Sequence, residues 1–296
     1  MYSNKHLAQH ASNLNLKAVI WVLVATAIFS LIFASGKLIG NADLVWHIIF
    51  FRYLAGLAFM LFIAKYKAIK IERSPKWHMH FLRAFFGGAG GCAAIYAAAN
   101  MAVADAAAIG LLDGVIAVML GIFIFSERVT TKHWLAILGC LVGAAIILSD
   151  KGAFQNALDT PALIALLGAI LLALESAFIR ALATKEKIIS ILLHVNFFGV
   201  LLFSIPAIYT WNASDLDTKL LFCLLGPLAL LGQYCNIQGY KIAPLSIVAP
   251  VGYSWILFAL AIDYFMFNQV IGYITVLGAI LIIASGYLLA TTLSTK

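Results

Sequence analysis

Long apolar runs alternate with short polar breaks along almost the whole chain. A transmembrane α-helix needs roughly 20 mainly apolar residues, and ten runs approach that length. They cover residues 17–35, 45–64, 79–100, 103–125, 133–149, 161–180, 188–209, 220–239, 243–263 and 270–290. The pattern predicts an all-α membrane protein with ten transmembrane helices, preceded by a polar N-terminal tail over residues 1–16.

The basic residues lie mostly in the polar breaks, and alternate breaks carry very different numbers of them. If the N-terminus is cytoplasmic, fifteen Lys and Arg, Arg83 included, fall on the cytoplasmic side and three (Lys37, Lys151 and Lys219) on the other. Arg52 lies inside the second run. Because cytoplasmic loops of membrane proteins carry an excess of Lys and Arg, both termini are predicted to be cytoplasmic.

Composition supports a membrane protein and argues against other classes. The chain is 64% hydrophobic and 10% charged, whereas a soluble domain has about half apolar and a quarter charged residues. The net charge of +7 does not predict nucleic-acid binding, because the basic residues lie between apolar runs. The four cysteines lie within apolar runs without metal-type spacing, so we expect packing roles and neither a metal nor a cofactor.

The two halves of the chain resemble each other faintly. An offset of 142 residues aligns Phe125 with Phe267 and Glu127 with Gln269, and an offset of 147 aligns the segments that follow His47 and His194. The halves, residues 17–150 and 151–296, would then hold five helices each. Since five is odd, the halves would have opposite orientations, as in many transporters whose site lies at the midplane. Chance similarity between apolar helices is the alternative.

A set of ordered motifs resembles a known family. The motifs are Phe51-Arg52-Tyr53, Arg83-Ala84-Phe85, Ala104-Asp105-Ala106, Ser126-Glu127-Arg128, Trp134-Leu135-Ala136, and Ala243-Pro244 through Pro250 with Tyr253. Together they resemble the drug/metabolite transporter superfamily, in particular its EamA-type branch, over essentially the whole chain. The resemblance implies two inverted five-helix repeats in a bacterial inner membrane, as a monomer or homodimer. The chain departs from the family at Gln269, where a second Glu is common.

Charged side chains within the apolar runs are candidates for function. An ionised group at a helix centre costs roughly 2.5–3.5 kcal/mol on insertion scales. Asp113 and Glu175 could therefore bind a cation or carry a proton, although a structural hydrogen bond is the alternative. Arg52 could pair with an acid, hold a substrate carboxylate or serve the architecture. Asp105 is a candidate helix cap or gate residue, and Glu127 a gate or loop anchor, or a plain solvated charge.

Uncharged side chains complete the predicted substrate-binding set: Tyr96, Asn100, Gln233, Asn236, Tyr253 and Trp255. Gln233 and Asn236 are three residues apart and share a helix face, where amides could bind substrate or join helices. Tyr96 and Trp255 could form a cation–π wall, although packing is the alternative. Pro250 should bend the ninth helix. Gly87 and Gly91 have the spacing that lets two helices approach closely.

These features favour a secondary transporter that works by alternating access. The chain has no phosphate-binding loop for an ATP-driven pump, no filter-like repeat for a channel and no hydrolase elbow or metal helix, so we expect no catalytic residue. Buried carboxylates and aromatics favour a small cationic or zwitterionic metabolite, with protons or an exchange substrate as possible coupling partners. The branch also resembles bacterial S-adenosylmethionine uptake carriers, mainly in its first half. The alternatives are an exporter of amino acids or related metabolites, and an intramembrane hydrolase in which Asp113 and Glu175 are adjacent.

Overall fold

The computed structural model describes residues 2–39, 44–71, 73–100, 106, 109–150, 159–211, 215–267 and 272–291. These residues form ten main helical segments, the number predicted from the apolar runs. They are α1 (Tyr2–Ile39), α2 (Val45–Tyr66), α3 (Trp77–Asn100), α4 (Leu112–Phe125), α5 (Thr131–Asp150), α6 (Thr160–Ala183), α7 (Ile188–Tyr209), α8 (Leu216–Ile242), α9 and α10 (Tyr273–Thr291). Segment α9 has three parts, namely Leu245–Val248, the 3-10 turns Ala249–Ser254 and Trp255–Phe267.

Most of these segments suit a membrane. Seven described stretches are long and apolar enough to cross one: Asn13–Ile32, Val45–Tyr66, Thr131–Ser149, Thr160–Ala183, Ile188–Tyr209, Leu216–Ile242 and Leu245–Ile262. Helices α4 and α10 are apolar but shorter in their described parts. Helix α3 is less apolar because it begins with His78, His80 and Arg83 and continues through several glycines and alanines. The chain is therefore multi-pass.

Proline determines where α8 ends and α9 begins. Helix α8 starts at the cap Asp215, whose Oδ1 accepts a hydrogen bond from the Thr218 backbone N–H at 2.9 Å. It continues to Ile242, three residues beyond the predicted end at 239. Ala243 is extended (φ −121°, ψ 158°) because Pro244 disfavours a helical residue before it. Helical structure then resumes at Leu245.

Segment α9 is not a regular α-helix. Its middle, Ala249–Ser254, forms 3-10 turns around Pro250, where the sequence predicts a bend. Proline has no N–H to donate and its ring crowds the preceding turn, so a tighter, irregular conformation is favoured there. This stretch is buried, and Tyr253 is only 1% exposed. The irregular turns therefore lie inside the helical bundle.

The most extensive helix contacts in the described chain join the first five segments to the last five. Helix α1 packs on α8, α3 on α6, α5 on α10, and α2 on α7 and α8. The backbones of α5 and α10 come close together at Gly143 and Gly278. A Cβ on Gly143 would lie 2.7 Å from the Gly278 carbonyl oxygen, and one on Gly278 would lie 2.6 Å from the Gly143 oxygen. The two halves therefore share one core.

Candidate functional site

A buried ion pair lies where α3 packs on α6. Arg83 Nε lies 3.8 Å from Glu175 Oε1, and Arg83 is 1% exposed. Gly87, one turn after Arg83, provides the space for the acid, because a Cβ there would lie 2.5 Å from the Glu175 carboxyl carbon. Among the described residues, Arg83 Nε and Nη1 have no hydrogen-bond partner. The two charged groups lie close together, but two buried nitrogens of Arg83 have no hydrogen-bond partner among the described residues.

The position of Arg83 corrects the sequence analysis. The charge count treats Arg83 as a cytoplasmic-side charge, and Arg83 is absent from the predicted site residues. The structure buries it within α3 beside Glu175, so it is not a solvated loop charge. Its place inside the predicted run 79–100 was the available signal, since a charged residue there needs a partner.

A second arginine acts on the same acid. Arg52 on α2 interacts electrostatically with Glu175. Its guanidinium carbon lies 4.5 Å from the ring centroid of Tyr53, which stacks on Phe203 of α7 with ring centroids 6.0 Å apart. Arg52 Nε is buried without a hydrogen-bond partner in the part of the chain that the structure describes. Two guanidinium groups from the first half thus face one carboxylate from the second.

Asp113 joins this group through tyrosines. Tyr240 on α8 lies beside Glu175, because its hydroxyl donates to Oγ of the next residue, Ser176, at 3.2 Å. Tyr253 lies against Gly114, the residue after Asp113, where a Cβ would come within 2.6 Å of the Tyr253 hydroxyl. We call Arg52, Arg83, Asp113, Glu175, Tyr240 and Tyr253 the central cluster. It contains the predicted residues Arg52, Asp113, Glu175 and Tyr253, and it adds Arg83 and Tyr240.

The predicted amides lie on α8. Gln233 is 8% exposed, and its Oε1 has no hydrogen-bond partner among the described residues. Asn236, three residues later, is half-buried. An unpaired buried amide oxygen can accept a hydrogen bond from a ligand. Binding by these amides stays a prediction.

Tyr96 and Trp255, which are predicted to form a cation–π wall, have different neighbours, and the wall stays a prediction. Tyr96 is 38% exposed and lines a cavity of about 400 Å³, whereas Trp255 packs beside the cluster that contains Leu111 and Tyr253. Asn100 lies near Tyr96 and donates from Nδ2 to the Tyr96 carbonyl oxygen at 2.8 Å. Asp105 lies outside the described residues. Tyr96 and Trp255 thus occupy different environments.

The cavity beside Tyr96 lies between α2, α3, α6 and α7. Its lining is mostly apolar, and it includes Cys92, Ala93 and Phe203. Phe203 also stacks on Tyr53, whose ring centroid lies 4.5 Å from the Arg52 guanidinium carbon. The cavity therefore adjoins the arginine side of the central cluster.

Glu127 connects the end of α4 to the beginning of α9. The left-handed conformation of Ser126 (φ 53°) ends α4 and turns the chain. The two Glu127 carboxylate oxygens then accept the backbone N–H groups of Leu245 and Ser246, each at 2.8 Å. Arg180 donates to the Tyr240 carbonyl oxygen and interacts electrostatically with Glu127. Glu127 thus caps a helix start in the other half, while its predicted gating role stays a prediction.

A second acid–base group lies near the start of α3 and was not found from the sequence. Glu186, between α6 and α7, contacts His80 Nε2 at 2.9 Å and accepts hydrogen bonds from the Ser74 and Ser190 hydroxyls. The His80 ring stacks on His194 at a centroid distance of 4.8 Å. Burial alone would raise the pKa of Glu186, but hydrogen bonds from Ser74 and His80 hold it below its ordinary value. The Glu186 carboxylate is thus well paired, whereas His80 Nδ1 has no hydrogen-bond partner among the described residues.

Comparison with known proteins identifies relatives over nearly the full length. The model of the EamA-like transporter family matches residues 16–149 and again residues 160–291. The S-adenosylmethionine uptake transporter of Rickettsia prowazekii is 21% identical over 269 residues, covering 90% of each chain. The pseudopaline exporter CntI of Pseudomonas aeruginosa is 23% identical over 278 residues, covering 93% of this chain and 96% of its own.

The fold has also been seen in a solved structure. A crystal structure of a protein superposes with a TM-score of 0.70 and 16% sequence identity. The match covers 94% of this chain and 95% of the other. The likeness concerns the fold alone.

Proposed function

Because the chain belongs to the EamA-like transporter family, we propose that it moves a small metabolite by alternating access, with the central cluster as the binding site. The chain is a multi-pass membrane transporter and not an enzyme. The two relatives named above are transporters as well. One of those relatives is an uptake transporter and the other an exporter. We place the protein in a bacterial inner membrane with both termini in the cytoplasm, following the distribution of Lys and Arg.

We further propose that the two halves are inverted repeats that rock about their junction. The two successive family matches, 16–149 and 160–291, support this. The packing supports it too, because exchanging the halves converts the α1–α8 contact into the α6–α3 contact and leaves the α5–α10 and α2–α7 contacts in place. The reciprocal approach of Gly143 and Gly278 is what a two-fold axis between α5 and α10 would produce.

The observation that carries the proposed site is the meeting of charged groups from both halves. Arg52, Arg83 and Asp113 come from the first half, and Glu175 comes from the second. Ionisable residues within transmembrane segments are costly, and they commonly mark substrate or ion pathways. At the seam between two moving halves, such a site can be exposed to one side of the membrane at a time.

Asp113 favours a substrate with a positive centre, because it can bind a cation or carry a proton, whereas Glu175 already faces Arg83. S-adenosylmethionine is our leading candidate because it carries a positively charged sulfonium centre. One of the relatives is also an S-adenosylmethionine uptake transporter. Export of an amino acid or related metabolite is the second candidate, favoured by the relative that is an exporter. Aromatic side chains such as Tyr253 and Tyr240 could add cation–π stabilisation.

Flux measurements in proteoliposomes test this proposal. A panel of metabolites that includes S-adenosylmethionine and amino acids is assayed for saturable counterflow, with and without an imposed pH gradient. Asp113→Asn should lower the flux by at least about tenfold, because a charged contact to the substrate is lost. The exposed Asp217 in the first turn of α8 provides the control, and Asp217→Asn should leave the flux unchanged.

Two results would contradict the proposal. Wild-type flux by a folded and inserted Asp113→Asn variant would remove Asp113 from the mechanism. Absence of flux for every panel member, together with cleavage of a peptide or lipid, would favour a hydrolase instead.

A further inference from the structure

We propose that Arg52 and Arg83 form a carboxylate-binding subsite, so that the transported metabolite is a bipolar molecule of the amino-acid type. The inference rests on the proposed transport function and specifies the substrate class of the same site. In this arrangement, the substrate carboxylate lies at the two arginines and its positive centre lies towards Asp113.

Unused hydrogen-bond donors are the first support. A guanidinium group has five N–H donors, and buried donors in proteins are normally paired. Arg83 is 1% exposed, yet its Nε and Nη1 have no hydrogen-bond partner among the described residues. Arg52 Nε is unpaired in the same way. A planar carboxylate can accept two parallel N–H bonds from a guanidinium, so it fits the missing partner.

The distribution of charge is the second support. Arg83 and Arg52 both interact electrostatically with Glu175, and one carboxylate cannot neutralise two guanidinium groups. Positive charge is therefore in excess at this end of the central cluster. Asp113 lies on a different helix, α4, beside Gly114, against which the Tyr253 hydroxyl packs. The cluster thus has a basic end and an acidic end, which complement a molecule with a carboxylate and a separate cation.

Adjoining space is the third support. The Arg52 guanidinium lies 4.5 Å from the ring centroid of Tyr53, which stacks on Phe203, and Phe203 lines the cavity of about 400 Å³ between α2, α3, α6 and α7. Small-molecule sites commonly have volumes of roughly 300–1,000 Å³. The mostly apolar lining of this cavity, which includes Phe203 and Tyr96, suits the carbon skeleton of a metabolite whose charged end is held by the arginines.

Binding of matched ligands to the purified full-length protein in detergent tests the subsite. Thermal stabilisation is measured with S-adenosylmethionine, arginine and lysine, each beside its decarboxylated analogue. Each pair differs only by the carboxylate. In at least one pair, the carboxylate-bearing member should half-saturate at a concentration at least about tenfold lower, as a charge-assisted contact predicts.

Arginine variants then locate the effect. Arg83→Gln and Arg52→Gln should each reduce the preference for the carboxylate-bearing member towards equality, whereas Arg83→Lys should retain part of it because the charge remains. Arg128→Gln, at an exposed arginine after α4, is the control and should keep the full preference. If Arg83→Gln does not fold, Arg52→Gln decides the test.

Three outcomes would overturn the inference: equal binding of both members of every pair, an unchanged preference in the glutamine variants, or no binding by any member. Flux in proteoliposomes separates this failure from failure of the proposed function. Transport without a carboxylate preference overturns the subsite alone. Carboxylate-selective binding without any flux supports the subsite and overturns the transport proposal.

Discussion

Two acid–base pairs lie one turn apart on α3, and their surroundings differ. His80 contacts Glu186 at 2.9 Å, and Glu186 also accepts hydrogen bonds from Ser74 and Ser190. Arg83 approaches Glu175 only to 3.8 Å, and two of its buried nitrogens lack hydrogen-bond partners in the described chain. The Glu186 carboxylate accepts several hydrogen bonds and leaves only His80 Nδ1 of its group unpaired in the described chain, whereas the Arg83–Glu175 pair has no hydrogen bond between its charged groups there. Well-paired polar groups stabilise a fold, whereas unpaired buried donors cost free energy and call for an explanation. The first pair is therefore expected to affect stability and the second transport.

Neutralising Glu175 is expected to have the largest effect on transport. Glu175→Gln removes the carboxylate that faces Arg52 and Arg83, so we expect transport to fall by about two orders of magnitude, as for other groups acting directly on bound substrate. The free energy of unfolding should fall by about 3 kcal/mol, because Arg83 is left as a buried, unpaired charge. Counterflow and thermal unfolding measure the two effects.

The double variant Arg83→Gln/Glu175→Gln separates the two effects. Removal of both charges should recover much of the lost stability, since neither partner is left unpaired. Transport should stay low. Full recovery of transport in the double variant would contradict a role for this pair in substrate binding.

A smaller loss of transport is expected when Glu175 is only displaced. Gly87→Ala places a Cβ 2.5 Å from the Glu175 carboxyl carbon, so the acid must move. Gly91→Ala is the matched control, because its Cβ would meet only Ile49 Cδ1 at 3.3 Å. Both changes alter helix propensity equally, by about 1 kcal/mol. Transport initial rates should fall about tenfold for Gly87→Ala, the effect expected from misplacing a binding group.

Equal transport by the two alanine variants would show that the position of Glu175 does not matter. Loss of transport in both would indicate instead that close helix packing along α3 is what the substitutions disturb.

The smallest effect on transport is expected at Glu186. Glu186→Gln should lower the free energy of unfolding by about 1–2 kcal/mol at neutral pH, through weakened charge-assisted hydrogen bonds. Since the pKa of Glu186 in the folded protein lies below its ordinary 4.5, the wild-type advantage is fully present above pH 4.5. It should disappear as the pH falls through the folded-state pKa. Melting temperatures of both proteins across this pH range test the effect, and transport at neutral pH should not change.

Much of the fold followed from the sequence, because an apolar run of sufficient length predicts a membrane helix wherever it packs. Asp113 and Glu175 stood out for a related reason, as charges inside such runs. Arg83 lies near the start of its run, where a charged residue resembles a flanking loop charge, so the sequence does not predict its burial beside Glu175. The partners of His80 and Glu186 are set by packing of α3 against α7, which no local pattern contains. The separation of Tyr96 from Trp255 also depends on helix orientation, which the run lengths do not determine.

The packing of α1–α5 mainly against α6–α10 has a consequence for biogenesis. The ribosome delivers the first half before the second, so α1, α3 and α5 enter the bilayer before α8, α6 and α10 have been made. Until then Arg83 lacks Glu175, and Gly143 on α5 lacks Gly278. The first half therefore cannot mature as a finished unit, and assembly is completed only when the last helix has been inserted.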